Sequence, residues 1–204
     1  MARPPAEGTK KRIRDAAADL FARHGVGRTT VRDIAKAANV NVAMVSHHFG
    51  GKEPLYRACL EAMYAELDGM QGELLAGLAD PDRLDRSVVD AVRGGYRYAR
   101  KHRPAARLVM RHVIDTGGVP RERRDELLLP FLETASTVLA ERTGRSESEL
   151  RCILMSLMFL TTRYALASVD ELAAVIGRPD AAEAEVHETI SERLAQQAKW
   201  MLGL

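Results

Sequence analysis

Between Asn41 and Glu53 the chain reads NVAMVSHHFGGKE, placing two histidines, a phenylalanine, two glycines and a lysine within seven residues. Three chemistries compete for such a stretch: a metal site, a phosphate cradle, and a surface shaped to lie against a polyanion. His47 and His48 are neighbours in a helical pattern, so their side chains point about 100° apart, and no third ligand lies nearby in sequence; no metal is expected. Gly50-Gly51-Lys52 lacks the long G-x-x-x-x-G-K-[ST] cradle that follows a strand in nucleotide-binding loops. It does offer unpaired N–H groups at a helix N-terminus, a lysine beside them, and no bulky side chain to keep a phosphate away.

Charge favours the third reading. Residues 1–60 carry 11 Lys/Arg against 5 Asp/Glu, a balance of +6, and the remainder sums to −4. A cationic first quarter on an acidic body suits a polyanion, because Lys and Arg supply the sequence-independent part of nucleic-acid affinity.

The elements that must hold these residues are helices, since no segment shows sustained two-residue alternation. Ile13, Ala16, Ala17, Leu20 and Phe21 form one face of a helix over about 7–24, stopped by Gly25 and Gly27. Thr30 and Asp33 have capping-box spacing and open a two-turn helix, 31–38. Asn39 tolerates the left-handed conformation that ends a helix sharply, and Asn41 is placed to cap a third helix, 42–48. Lys52-Glu53-Pro54 begins a fourth, running toward Ala79, with Tyr56, Cys59, Leu60, Met63, Leu67, Met70 and Leu74 inward.

Two short helices joined by a tight turn make a helix-turn-helix, with the first helix packed behind. Its second helix enters the DNA major groove N-terminal end first, so Asn41, Val42, Ala43 and Ser46 face DNA. Val42 and Ala43 make apolar contacts only, such as with a thymine methyl. His47 meets the backbone, His48 supports the turn, and Lys52 meets a phosphate. Arg28, Thr29, Thr30 and Arg32 reach the backbone or groove edge. Met44, Val45 and Phe49 turn to the small core.

The stretch IRDAAADLFARHGVGRTTVRDIAKAANVNVAMVSHHFGGKEPLYRACLE, residues 13–61, resembles the N-terminal DNA-binding domain of the tetracycline-repressor (TetR) family of bacterial transcriptional regulators. The anchors are Leu-Phe-x-x-x-Gly, Thr-x-x-Asp-Ile-Ala, His-His-Phe followed by Gly-Gly-Lys-Glu, and Leu-Tyr. Two positions depart from the family pattern: Asn39 stands where Gly is usual, and Ser46 where a Tyr commonly touches the DNA backbone. Serine reaches less far, so His47 is the alternative contact. The resemblance implies a homodimer on an inverted-repeat operator in double-stranded DNA, with a larger helical domain that holds a small-molecule effector and sets the spacing of the two heads.

The rest of the chain reads as helices over about 80–101, 105–115, 121–142 with a break near Pro130, 150–168, 170–176, and a last one capped by Asp180. The run Cys152–Leu160 is apolar nearly all round, which predicts a helix covered on every side, and both cysteines read as buried thiols. The last helix carries a stripe of Ala182, Val186, Ile190, Leu194 and Met201, and Leu194 is expected in a dimer seam. Candidate effector-pocket residues are Met70, Tyr96, Met110, His112, Phe131, Met155, Phe159 and Arg163, and filling the pocket by Ala106→Trp is expected to block induction while leaving operator binding intact. If buried, Arg163 needs an acidic partner from the protein or a ligand.

The expectation is an all-α protein: a three-helix helix-turn-helix domain over 1–51 and a helical effector-binding and dimerisation domain over 52–204. Function follows as a ligand-responsive dimeric repressor, cytoplasmic, not an enzyme, without cofactor or membrane span. The alternative is a constitutive helix-turn-helix protein without an effector.

Overall fold

The computed structural model describes residues 6–78 and 84–204, and within these the side chains of all but 6–7, 66–74 and 76–78. Among the described residues there is no strand. The helices are α1 (Ala6–His24), α2 (Val31–Ala37), α3 (Val42–Phe49), α4 (Lys52–Leu78), α5 (Leu84–Lys101), α6 (Arg103–Thr116), α7 (Arg121–Arg123), α8 (Leu129–Thr143), α9 (Glu147–Leu166), α10 (Val169–Val175) and α11 (Glu183–Leu202). The expected helix start at Asp80-Pro81 lies outside the described residues.

The chain forms two compact units, one of residues 1–66 and 104–119, the other of 67–103 and 120–204. In the first, Ile13, Ala17 and Phe21 are fully buried one turn apart on α1, together with Ile34, Val45 and Leu55. The unit limit along α4 falls at Glu66 rather than at the Gly50-Gly51 turn, and α6 belongs with it. The reason lies in side chains: Tyr56 meets Phe21 edge-on at 5.4 Å, and its hydroxyl lies 3.0 Å from His112 Nδ1. Arg111 donates to the Ala22 carbonyl, filling the space over Gly25.

In the second unit α5 packs against α9 and α11, and α8 against α9. Leu84, Val88, Phe131, Leu132, Leu139, Leu150, Leu157 and Leu202 form its core. The break expected near Pro130 is a π-helical turn, Arg124–Leu128, just ahead of it; the proline ring displaces the carbonyl four residues back, and a wider turn accommodates it. Two local expectations are corrected. The cap of α11 is Ala182, without a side-chain bond, rather than Asp180, which sits two residues too early. Finally, α9 is not covered on every side, for Met158 and Phe159 are exposed.

Candidate nucleic-acid interface

Two local motifs make the turn between α2 and α3. Thr30 and Asp33 form a full capping box, in which Thr30 Oγ1 accepts from the Asp33 N–H at 3.2 Å and Asp33 Oδ2 accepts from the Thr30 N–H at 3.0 Å. These bonds hold the Asp33 carboxyl below its ordinary value of 3.8. At the other end Asn39 takes φ 52°, with Asn39 N–H donating to Lys36 O and Val40 N–H to Ala35 O. That bond pair is a Schellman ending, and it turns the chain at once toward α3. Asn41 then caps α3, its Oδ1 accepting from the Ala43 N–H at 2.9 Å.

Helix α3 is anchored by Val45, which is fully buried, while Val42, Ala43, Ser46 and His47 are exposed with Asn41 at its leading end. Met44, His48 and Phe49 are half-buried, and the His48 ring meets His47 edge-on at 5.2 Å. Gly50 and Gly51 at the exit adopt φ 77° and 133°, which L side chains rarely take. Nothing lies within 4 Å of where a Cβ would project from either, so the backbone there is open to approach.

Cations stand on the elements that precede and follow α3 in the chain. Arg28 and Arg32 are exposed, and Arg28 Nε is fixed to the His24 carbonyl. Lys52 donates to the Val26 carbonyl at 2.9 Å, tying the start of α4 to the α1–α2 turn. An ammonium has three donors, so two remain for a phosphate. Lys10, which the sequence reading passed over, sits 5.9 Å from the Phe49 ring centroid. Its sole signal was its charge, because it meets α3 only through the fold.

Two expected contacts change role. Thr29 is only 2% exposed, and its hydroxyl donates to the Gly25 carbonyl at 2.8 Å, so it braces the turn and is not available to DNA. Thr30 is exposed but its hydroxyl is engaged with Asp33 at both lone pair and proton. No group of three His, Cys, Asp or Glu able to hold a metal ion occurs among the described residues.

The residues expected around an effector divide between the units. Met110 is half-buried and His112 is bonded to Tyr56 in the first unit. Tyr96 and Phe131 are buried in the second, Met155 is half-buried, and Phe159 is 43% exposed. Arg163 is exposed and ion-paired with Glu171, so it needs no ligand to balance it. The side chain of Met70 lies outside the described residues. Ala106 is buried in the first unit.

Residues 13–59 match the model of the bacterial regulatory proteins, tetR family. The chain is 50% identical over 56 residues to the HTH-type transcriptional regulatory protein RaaS of Mycobacterium tuberculosis, covering 28% of this chain and 26% of that one. It is 37% identical over 86 residues to the HTH-type transcriptional repressor KstR2 of Rhodococcus jostii, covering 39% and 42%. The matches thus span a quarter to about two fifths of these curated relatives. Among solved structures, a TetR-like transcriptional regulator from Rhodococcus sp. RHA1 superposes with a TM-score of 0.63 at 21% identity over 97% of both chains, which shows a shared fold. A gamma-butyrolactone receptor, ArpA-like, gives 0.58 at 25% identity over 95% of this chain and all of that one.

Proposed function

We propose that this chain, a tetR-family protein by its residues 13–59, is a dimeric DNA-binding transcriptional regulator, a repressor that a small molecule releases from an inverted-repeat operator in double-stranded DNA. The observation that carries the reading is α3: a short helix held by one buried valine, presented by a Schellman turn, and exposed along Asn41, Val42, Ala43, Ser46 and His47, with Lys10 over its Phe49 and Arg28, Arg32 and Lys52 on the flanking elements. A helix of this kind fits the major groove, with cations on phosphates and small side chains at base edges. Lys52 together with the open Gly50-Gly51 backbone supplies a phosphate seat.

Dimerisation is supported by the second unit. Helix α9 exposes Met158 and Phe159, and α11 exposes Trp200 to 78%. Such side chains favour removal from water by a second copy. Leu194, expected in this seam, is buried in its own chain and serves the core instead. A two-fold dimer would present its heads to grooves about 34 Å apart, one helical turn.

Effector control is supported by the likeness to a protein described as a gamma-butyrolactone receptor, and by α4, a single helix that contributes residues to both units. An effector that binds the DNA-incompetent arrangement more tightly by about 1–3 kcal/mol would shift operator affinity about 5- to 150-fold. We place the protein in the cytoplasm without enzymatic activity; no single described helix is long and apolar enough to cross a membrane.

The test is titration of the full chain against duplexes from the DNA upstream of its own coding region, with and without small-molecule libraries. Ala43→Glu, which sets a carboxylate on the groove-facing side, is expected to abolish specific binding while circular dichroism stays unchanged. Retained specific binding by that variant would remove α3 from the interface. Binding that no compound or cell extract alters would favour the constitutive alternative.

A further inference from the structure

From Arg93 to Arg111 the chain carries seven Lys/Arg and no Asp or Glu. Two of these, Arg100 and Arg103, turn onto the C-terminal carbonyls of α9 in the second unit. Arg100 Nη1 donates to Ala165 O and Ala167 O, both at 3.4 Å, and Arg103 Nη2 to Leu166 O at 2.9 Å and Ala167 O at 3.2 Å. Cations at the orphan carbonyls of a helix C-terminus are an ordinary stabilising arrangement. Capping does not account for what lies on the other side of Arg100.

The Arg100 side chain is only 16% exposed, yet its carboxylate partner, Glu183, is 66% exposed and 3.3 Å away. The bonds of Arg100 to Ala165 O, Ala167 O and Glu183 Oε1, at 3.4, 3.4 and 3.3 Å, are longer than the roughly 2.7–2.9 Å of a good charge-assisted hydrogen bond. The same carboxylate oxygen, Glu183 Oε1, lies 3.4 Å from His187 Nε2, a covered nitrogen that completes no hydrogen bond. On its other side the imidazole is fixed: Nδ1 is 2.8 Å from the hydroxyl of Tyr96, a buried side chain. In the tautomer in which the phenol donates to Nδ1, the proton of the neutral ring is on Nε2, the nitrogen beside Glu183. Donors from α5 and α11 therefore converge on one oxygen position, held loosely by a carboxylate on the first residue of α11 that a side-chain rotation would carry into water.

We infer that Arg100 and His187 form an oxyanion-binding site in the second unit, in which the carboxylate or phosphate group of a small molecule replaces Glu183 at the position of its Oε1. Tyr96 orients the imidazole and Arg103 adds positive potential beside it. A bound oxyanion favours the imidazolium, whereas burial, followed by the charge of Arg100, lowers the His187 pKa from its ordinary value. Affinity accordingly rises as pH falls. The groups facing the imidazole are Tyr96 and Arg100 from α5, Arg103 from α6, Glu183 from its own helix, and the α9 carbonyls beyond the guanidinium.

This site is independent of the DNA-binding reading, and its test involves no DNA. Calorimetric titration of the full chain with sodium phosphate and with sodium acetate, each against sodium chloride at equal ionic strength, reads binding directly and separates the two oxyanion sources. Glu183→Gln removes the internal competitor and is expected to tighten binding about tenfold. Arg100→Lys, which loses the planar fork, is expected to weaken it by about as much, and His187→Gln to flatten its pH dependence. Glu183 is exposed, so the Gln variant folds and decides the matter even if the Arg100 variant does not. Equal affinity of wild type and Glu183→Gln for both probes, or no binding by either protein beyond the chloride control, overturns the inference.

Discussion

Helices α3 and α9 are built alike and present opposite kinds of free face. Each is held to its own unit along one side, α3 by Val45 and α9 by Leu150, Leu157 and Ala165, and each leaves its other side to solvent. On α3 the free side is Val42, Ala43, Ser46 and His47 beside arginines and lysines; on α9 it is Cys152, Ser156, Met158, Phe159 and Arg163. Small side chains with a cationic rim admit close approach of a polyanion. Methionine and phenylalanine gain about 25 cal/mol for each Å² removed from water, and so ask for another apolar surface. What a helix binds is written on the face its own core does not use.

The sharpest way to break this comparison is Phe159→Glu. An unpaired charge buried in an apolar seam costs about 3–5 kcal/mol, so dimer affinity is expected to fall by at least a hundredfold. Sedimentation velocity would then show monomer with native helix content. Leu194→Glu serves as the contrast, since that side chain is 3% exposed within its own chain and the variant is expected to lose helix content instead. An intact Phe159→Glu dimer would move the seam off α9.

Thiol labelling sharpens the same contrast without mutation. Cys152, expected buried, is exposed on the free side of α9, whereas Cys59 is buried and its thiol is pushed up to about 12 by desolvation. Maleimide is expected to modify Cys152 in the native protein and Cys59 only in denaturant. If α9 forms the seam, the Cys152 rate drops as protein concentration passes the dimer dissociation constant.

On the α3 side, Lys52→Ala is expected to weaken binding to all duplexes alike and to reduce the slope of log affinity against log salt by about one unit. Thr29→Val should leave that slope unchanged and lower folding stability by about 1 kcal/mol, because its hydroxyl serves Gly25 and not DNA. A salt-slope change in Thr29→Val would restore it to the interface.

The smallest effect concerns pH. The folded Asp33 carboxyl titrates below 3.8, chiefly through its bonds to Thr30. Its contribution is fully present above 3.8 and is lost as pH falls through the depressed value. Amide exchange at Thr30 is expected to speed up only in that acidic window and, in Asp33→Asn, to lose its pH step.

The caps were legible because they are local. Thr30 with Asp33, Asn39, and Asn41 with Ala43 are pairs two or three residues apart or single backbone conformations, and residue type fixes each. The all-α class and the match of residues 13–59 rest on the same short-range signals. The candidate interface was legible where side chains project from these elements, and illegible at Thr29 and Lys10, whose roles depend on Gly25 packing and on Phe49.

Helix periodicity states that a stripe will be buried but not against what. Leu194 and the apolar α9 were indistinguishable as core or seam until their neighbours were in place, and Arg163 gained Glu171 only through the α9–α10 corner. The assignment of α6 to the first unit depends on Tyr56 meeting His112, 56 residues away. The Tyr96–His187 bond spans 91. By itself the sequence determined the helix ends that local caps mark, at Thr30, Asn39 and Asn41, because capping and periodicity act over one or two turns. Only the tertiary structure decided which faces are spent on the core and which remain free, because burial is a property of two surfaces and the chain specifies each without naming the other.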